Sequence, residues 1–243
     1  MAFIIKNKDF LIILYYHFAI MKNTKRKVLI IFSSVLVVML LAVAVPFIIL
    51  GARTSYINNK YSDLKENEEF SHSVEVKDVE LVTQHVSCGY ATIEMMSEYY
   101  GDKVTEDELS EKNNGNISTS SSLGFLNEIN DSIPNKTFIK KSYLRNDDFL
   151  TEIHESLENS NPVAIEWAAK YEEEWTLHFS LVTGLDLKND IVTIYNPYGY
   201  IETINTKEFI DRTTFKAYED MPLFLNFGFA FGAFEKNTIF FAE

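Results

Sequence analysis

The stretch QHVSCGYATIEMMSEYYG, Gln84 to Gly101, holds the single cysteine of a 243-residue chain. Ala91, Ile93, Met95, Met96, Tyr99 and Tyr100 recur at a spacing that buries a broad face of a helix. Ser87 is placed to cap its first turn, and Gly101 to end it in the left-handed conformation. The pattern predicts a helix opening at Cys88. A cysteine nucleophile works as thiolate, and its pKa falls from about 8.5 to about 3.5–7.5 at a helix N-terminus beside an imidazolium. A free cysteine is more often a small buried hydrophobe, so the rest of the chain has to decide between the two.

Downstream, Thr105 and Glu108 form a capping box that opens a second helix, ended by Asn113-Asn114-Gly115. Helices are also expected across SSSLGFLNEIN and across Asp147 to Ser160. After Asn161-Pro162 the composition turns β-branched and aromatic. VAIEWAA, LHFSLVTGLDL, DIVTIYNPYG and NTIFFA read as antiparallel strands separated by turn signals. A further short strand is expected near Val79 to Val82. Helices first and strands afterwards predict an α+β domain in two lobes, with N-terminal helices and a C-terminal antiparallel sheet.

Four histidines lie beyond the N-terminal apolar region. His72 falls in a polar segment, His154 on an amphipathic helix, and His85 in the same loop as Cys88. His178, in WTLHFSLVTG, is expected at a strand start, a rigid platform for presenting an imidazole across a cleft. Asn196 ends the next strand, and the hairpin turn at Lys188-Asn189-Asp190 brings it back toward His178, where its side-chain oxygen can fix the imidazole tautomer. Gln84, four residues before Cys88, is placed to join the Cys88 amide as an oxyanion-hole donor.

The blocks Q…SCGYATIEMMSEYYG, HFSLVTGLD and NPYG, in that order, resemble the C39-like peptidases, a bacterial branch of the papain-like cysteine proteases. The resemblance covers roughly residues 79–204. It implies a papain-like fold, with Cys88 as nucleophile, His178 as general base and acid, Asn196 as its orienting partner and Gln84 as the oxyanion-hole donor. It implies a peptide or protein substrate and no cofactor or metal. Asn196 stands where the family often has Asp, which keeps a Cys-His-Asn arrangement. Gln84 lies four residues before the cysteine, where many relatives have six. Members fused to export transporters trim leader peptides after double glycine, a substrate class that does not transfer to a chain with no transporter.

The run Val28 to Leu50, VLIIFSSVLVVMLLAVAVPFIIL, has 23 residues without a charge. As a helix it spans about 35 Å, enough to cross a bilayer. Lys22, Lys25, Arg26 and Lys27 precede it, so the positive-inside rule keeps residues 1–27 in the cytoplasm and the remainder outside. The expected organisation is a transmembrane anchor at 28–50, a polar stalk at 51–73 and a peptidase domain at 74–243. Ala42-Val43-Ala44 also fits a signal-peptidase site, which would release a secreted protein. Met21 followed by KNTKRK is a normal start for an exported protein, which would make residues 1–20 an upstream-start artefact.

Beyond residue 50 there are 16 Lys/Arg against 34 Asp/Glu, a net charge of −18. Nucleic acid is therefore not an expected partner, because phosphate binding needs a basic face. Three other readings use the same residues. One is a catalytically silent binding module on the cell surface, with the aromatic stretch Phe224 to Phe234 facing a partner. Another is a cell-wall amidase, and a third is a zinc site at His85, Cys88 and His178.

Overall fold

Tyr90, Ala91, Ile93, Met95 and Met96 are fully buried along a helix that runs Cys88–Tyr100. Its ends are those expected: Ser87 Oγ accepts from the Tyr90 N–H, and Gly101 takes a left-handed φ of 90°. The chain is seen in a computed structural model that describes residues 2–243, with side chains from Lys27 onward. The order of elements is α1 (Ala2–Ile57), β1 (Val74–Glu75), α2 (Cys88–Tyr100), α3 (Glu106–Lys112), α4 (Ser122–Ser132), β2 (Phe138–Lys141), α5 (Asn146–Glu158), β3 (Val163–Tyr171), β4 (Glu174–Asp186), β5 (Ile191–Asn196), β6 (Tyr200–Ile204), α6 (Thr206–Thr213), α7 (Leu223–Ala230) and β7 (Thr238–Ala242).

The strands make one antiparallel sheet in the order β2-β7-β3-β4-β5-β6, with β1 paired to β4. Glu166 is registered with Phe179, and Trp167 with His178. Side chains alternate along a strand, so these two pairs lie on opposite faces. Phe179 stacks on Phe125 of α4 at 4.4 Å, while Trp167 meets Phe209 of α6 at 6.4 Å. Helices therefore cover both faces of this antiparallel sheet, α4 on one and α6 on the other. The capping box of α3 is formed by Thr105 and Glu108.

Three expectations change. No strand forms at residues 79–82; the first strand is β1, and the apolar side chains of Val79, Leu81 and Val82 are used to pack an irregular segment onto the core. The chain divides into residues 1–49 and a compact unit Leu50–Glu243, so the unit takes in the segment read as a stalk at 51–73. Ile57 and Phe70 of that segment are buried, and Tyr61 and Leu64 pack on the core, apolar residues too widely spaced to declare themselves in a polar sequence. His178 sits within β4, not at its start, because the strand begins at Glu174.

Among the described residues, one helix is long and apolar enough to cross a membrane, with a mean hydropathy of 3.1 in its most apolar stretch. The side chains of Lys22, Lys25 and Arg26, and the start at Met1, lie outside the described residues.

Candidate active site

Cys88 opens α2, and its half-buried side chain packs on the core beside β4. The Phe179 backbone and the amides of Cys88 and Gly89 all act to hold its thiol pKa down. Burial outweighs them and pushes the thiol up to about 11. The low thiol pKa expected from the helix end is therefore absent: withdrawal of the sulfur from water costs the thiolate more than the amide dipoles return.

The approach to Cys88 is fixed by a residue that the sequence did not single out. Glu106, at the start of α3 and fully buried, accepts the backbone N–H groups of His85 at 3.0 Å, Val86 at 2.9 Å and Ser87 at 2.8 Å. Its carboxylate thus satisfies three part-buried donors just ahead of the helix. Gly89 allows the close packing that follows, since a Cβ there would lie 2.3 Å from Thr119 Oγ1.

Gln84 is tied to the far side of the site by its backbone N–H, which donates to the Pro197 carbonyl at 2.7 Å. Its side-chain Oε1 is buried and without a hydrogen-bond partner. With Thr83, Tyr171, Thr176, Pro197 and Tyr198 it lines a pocket of about 330 Å³.

His178 and Asn196 are both excluded from solvent, and Nε2 of the first lies 2.9 Å from Oδ1 of the second. The amide orientation is set by its other neighbours. The Tyr198 N–H donates to Oδ1 at 3.0 Å, and Nδ2 donates to the Glu202 carboxylate at 3.3 Å. A carboxylate only accepts and a backbone N–H only donates, so Oδ1 must face the imidazole. His178 then carries its proton on Nε2, which leaves the Nδ1 lone pair as the basic position. Tyr198 stacks on the imidazole with ring centroids 4.0 Å apart. Burial lowers the His178 pKa to about 3, against the opposing effect of its hydrogen bond to Asn196. The resting site is thus a neutral thiol and a neutral imidazole.

Behind Asn196, Glu202 is held by Arg212 at 2.6 Å, and the Arg212 guanidinium lies over Trp167 and Trp175. Glu166, beside Phe179 in the sheet register, is fully buried and receives the Ser122 hydroxyl at 2.5 Å. Its pKa is raised to about 8 by burial, so the carboxyl is protonated at neutral pH.

The alternative zinc set is not assembled. The His85 ring nitrogens instead contact Glu106 and Asp107, each at 3.0 Å, and the contact with Asp107 leads in raising its pKa. Among the described residues, the side chains close enough to share an ion are His72, His154 and Glu158, with ligand atoms within 4.8 Å of one another.

A profile of the Peptidase_C39 like family matches residues 76–222. No curated protein matches the chain. Among solved structures, the chain is similar to a double glycine motif protease from an AMS/PCAT transporter, crystallised in complex with the leader peptide. That match has 16% identity and a TM-score of 0.46, over 70% of this chain and 94% of the other. It is also similar to the peptidase domain of Streptococcus ComA, a bifunctional ABC transporter involved in a quorum-sensing pathway, at 17% identity and a TM-score of 0.43, over 68% of this chain and 97% of the other. The profile spans more than half of the sequence and takes in Gln84, Cys88, His178 and Asn196, and the chain belongs to the Peptidase_C39 like family.

Proposed function

We propose that this chain is a membrane-anchored cysteine peptidase whose compact unit lies outside the cell. The hydrogen bond from His178 Nε2 to Asn196 Oδ1 carries the reading, because it leaves Nδ1 unprotonated, as a general base requires. Family membership and the position of Cys88 at the start of α2 support it.

In this mechanism, Cys88 Sγ loses its proton to His178 Nδ1 as it attacks the peptide carbonyl. Both groups rest in the neutral form, so the ion pair forms during attack and does not precede it. The tetrahedral oxyanion is held by the Cys88 backbone N–H and the Gln84 side-chain amide. Collapse passes the His178 proton to the leaving amine and leaves a thioester on Cys88. His178 then takes a proton from water, which attacks the thioester; the S–C bond breaks, the acid leaves and the His178 proton returns to Cys88 Sγ. The lowered imidazole pKa keeps the base available down to acidic pH and makes the protonated imidazole of His178 a strong acid toward the amine. Residues 28–50 hold the chain in the membrane in this reading, and its substrates are peptides or proteins that reach the outer surface.

A second reading is favoured by the same neutral pair: a catalytically silent module that keeps the cleft for binding. One experiment separates the two. The full-length protein is incubated with a complex peptide mixture, and new termini are identified by mass spectrometry, with Cys88→Ala as control. Termini made by wild type and lost in Cys88→Ala support the peptidase. Peptides retained equally by both proteins, with no cleavage, support the binding module.

A further inference from the structure

From Met221 to Phe234, MPLFLNFGFAFGAF, the chain carries no charge, although most of this stretch forms or flanks a surface helix. A surface helix ordinarily turns a charged or polar face to water. Helix α7 instead has apolar residues on both sides. Leu225 and Phe229 are buried, whereas Leu223, Phe224 and Phe231 are 78%, 70% and 59% exposed. Phe224 and Phe231 are seven residues apart, two helical turns, and share one face. Asn226, the polar residue of the helix, turns its amide back onto the carbonyls of Met221 and Pro222.

The position of this face in the chain says what it meets. Leu50, the last residue of the uncharged run 28–50, belongs to the compact unit and packs in the cluster of Phe215 and Phe229. If 28–50 crosses the bilayer, Leu50 lies where the chain emerges, and the cluster it shares with Phe229 keeps α7 near that point. Aromatic side chains are enriched at that depth, and a helix lying in the interface buries its apolar face about 5–10 Å into the headgroup and acyl boundary.

We propose that the exposed face of α7 inserts into the outer leaflet, so that the peptidase unit rests on the lipid surface through a second contact besides its anchor. The proposal rests on the reading of residues 28–50 as a membrane span. The contact is apolar and needs no anionic headgroup, since Met221 to Phe234 offers no cation.

The test uses full-length protein reconstituted into phosphatidylcholine vesicles, with the wild-type signal of Trp167 and Trp175 subtracted. Phe224→Trp and Phe231→Trp report on α7, and Val38→Trp reports on the middle of the apolar run. Lipid brominated near the headgroup end of its chains should quench the two α7 reporters by about twofold or more. Lipid brominated at the chain centre should do the same to Val38→Trp. Quenching of Val38→Trp with solvent-like, unquenched emission from both α7 reporters overturns the proposal and leaves the anchor standing. Blue-shifted but unquenched α7 reporters also overturn it, by showing that a second copy or another protein covers the face. If no reporter is quenched, the span and the proposal both fail. Quenching of the α7 reporters alone removes the anchor and overturns the proposal, since α7 would then be the first contact with lipid and not a second.

Discussion

His178 and Asn196 stand eighteen residues apart on neighbouring strands and join through a 2.9 Å contact between Nε2 and Oδ1, both side chains closed off from water. Asn196 gains this orientation from Tyr198 and Glu202, and Glu202 from Arg212, so the tautomer of one imidazole depends on a chain of partners reaching α6.

Replacing Asn196 with Ala removes the acceptor that holds His178 Nε2. Loss of one such hydrogen bond, worth about 1–3 kcal/mol, should lower kcat by about tenfold to a hundredfold with KM little changed. Asn196→Asp should act differently. A carboxylate facing the imidazole raises its pKa from about 3, and the acid limb of the rate profile should move up in pH. NMR titration of the His178 ring gives a direct reading; an unchanged imidazole pKa in Asn196→Asp would contradict this account.

Glu106 is predicted to be a positioning residue for Cys88. Glu106→Ala strands three backbone N–H groups and should cost about 3 kcal/mol or more in stability, read from urea unfolding. In protein that remains folded, kcat should fall more than KM rises, because the Cys88 amide loses its fixed direction. A variant of wild-type stability would show that the loop holds itself.

Gly89 tests the packing around the nucleophile. Gly89→Ala places a methyl within 2.5 Å of both Thr119 Oγ1 and Cβ. Overpacking of this kind costs about 1–3 kcal/mol. Thr119→Gly in the same protein should restore part of the lost stability, as seen in the urea midpoint, because it removes both atoms.

The buried Glu166 should give stability a dependence on pH. Its folded pKa, about 8, lies above the ordinary carboxylate value, so the folded state holds a proton that the unfolded chain releases. This contribution is full below the unfolded pKa of 4.5, declines as pH rises, and is gone above about 8. Glu166→Gln cannot ionise and should flatten the unfolding midpoint across that window. Parallel curves for the variant and wild type would place the dependence elsewhere.

The sequence by itself determined the local features of this protein. Ser87, Gly101 and the Thr105–Glu108 box act over a few residues, so the ends of α2 and α3 are written in short-range hydrogen bonds. The alternation to β-branched residues after Asn161 marked β3, β4, β5 and β7 in the same way. The blocks around Cys88, His178 and Asn196 carried the family, which the profile match shows.

Tertiary structure decided what depends on contacts between distant residues. Glu106 is one acidic residue among many until α3 places it under three amides. Ile57 and Phe70 look like incidental apolar residues in a polar segment until the core receives them. The thiol and imidazole pKa values turn on burial, which overrides the helix-end effect that the sequence suggested. Desolvation is set by everything packed around a group, and no local pattern encodes that sum.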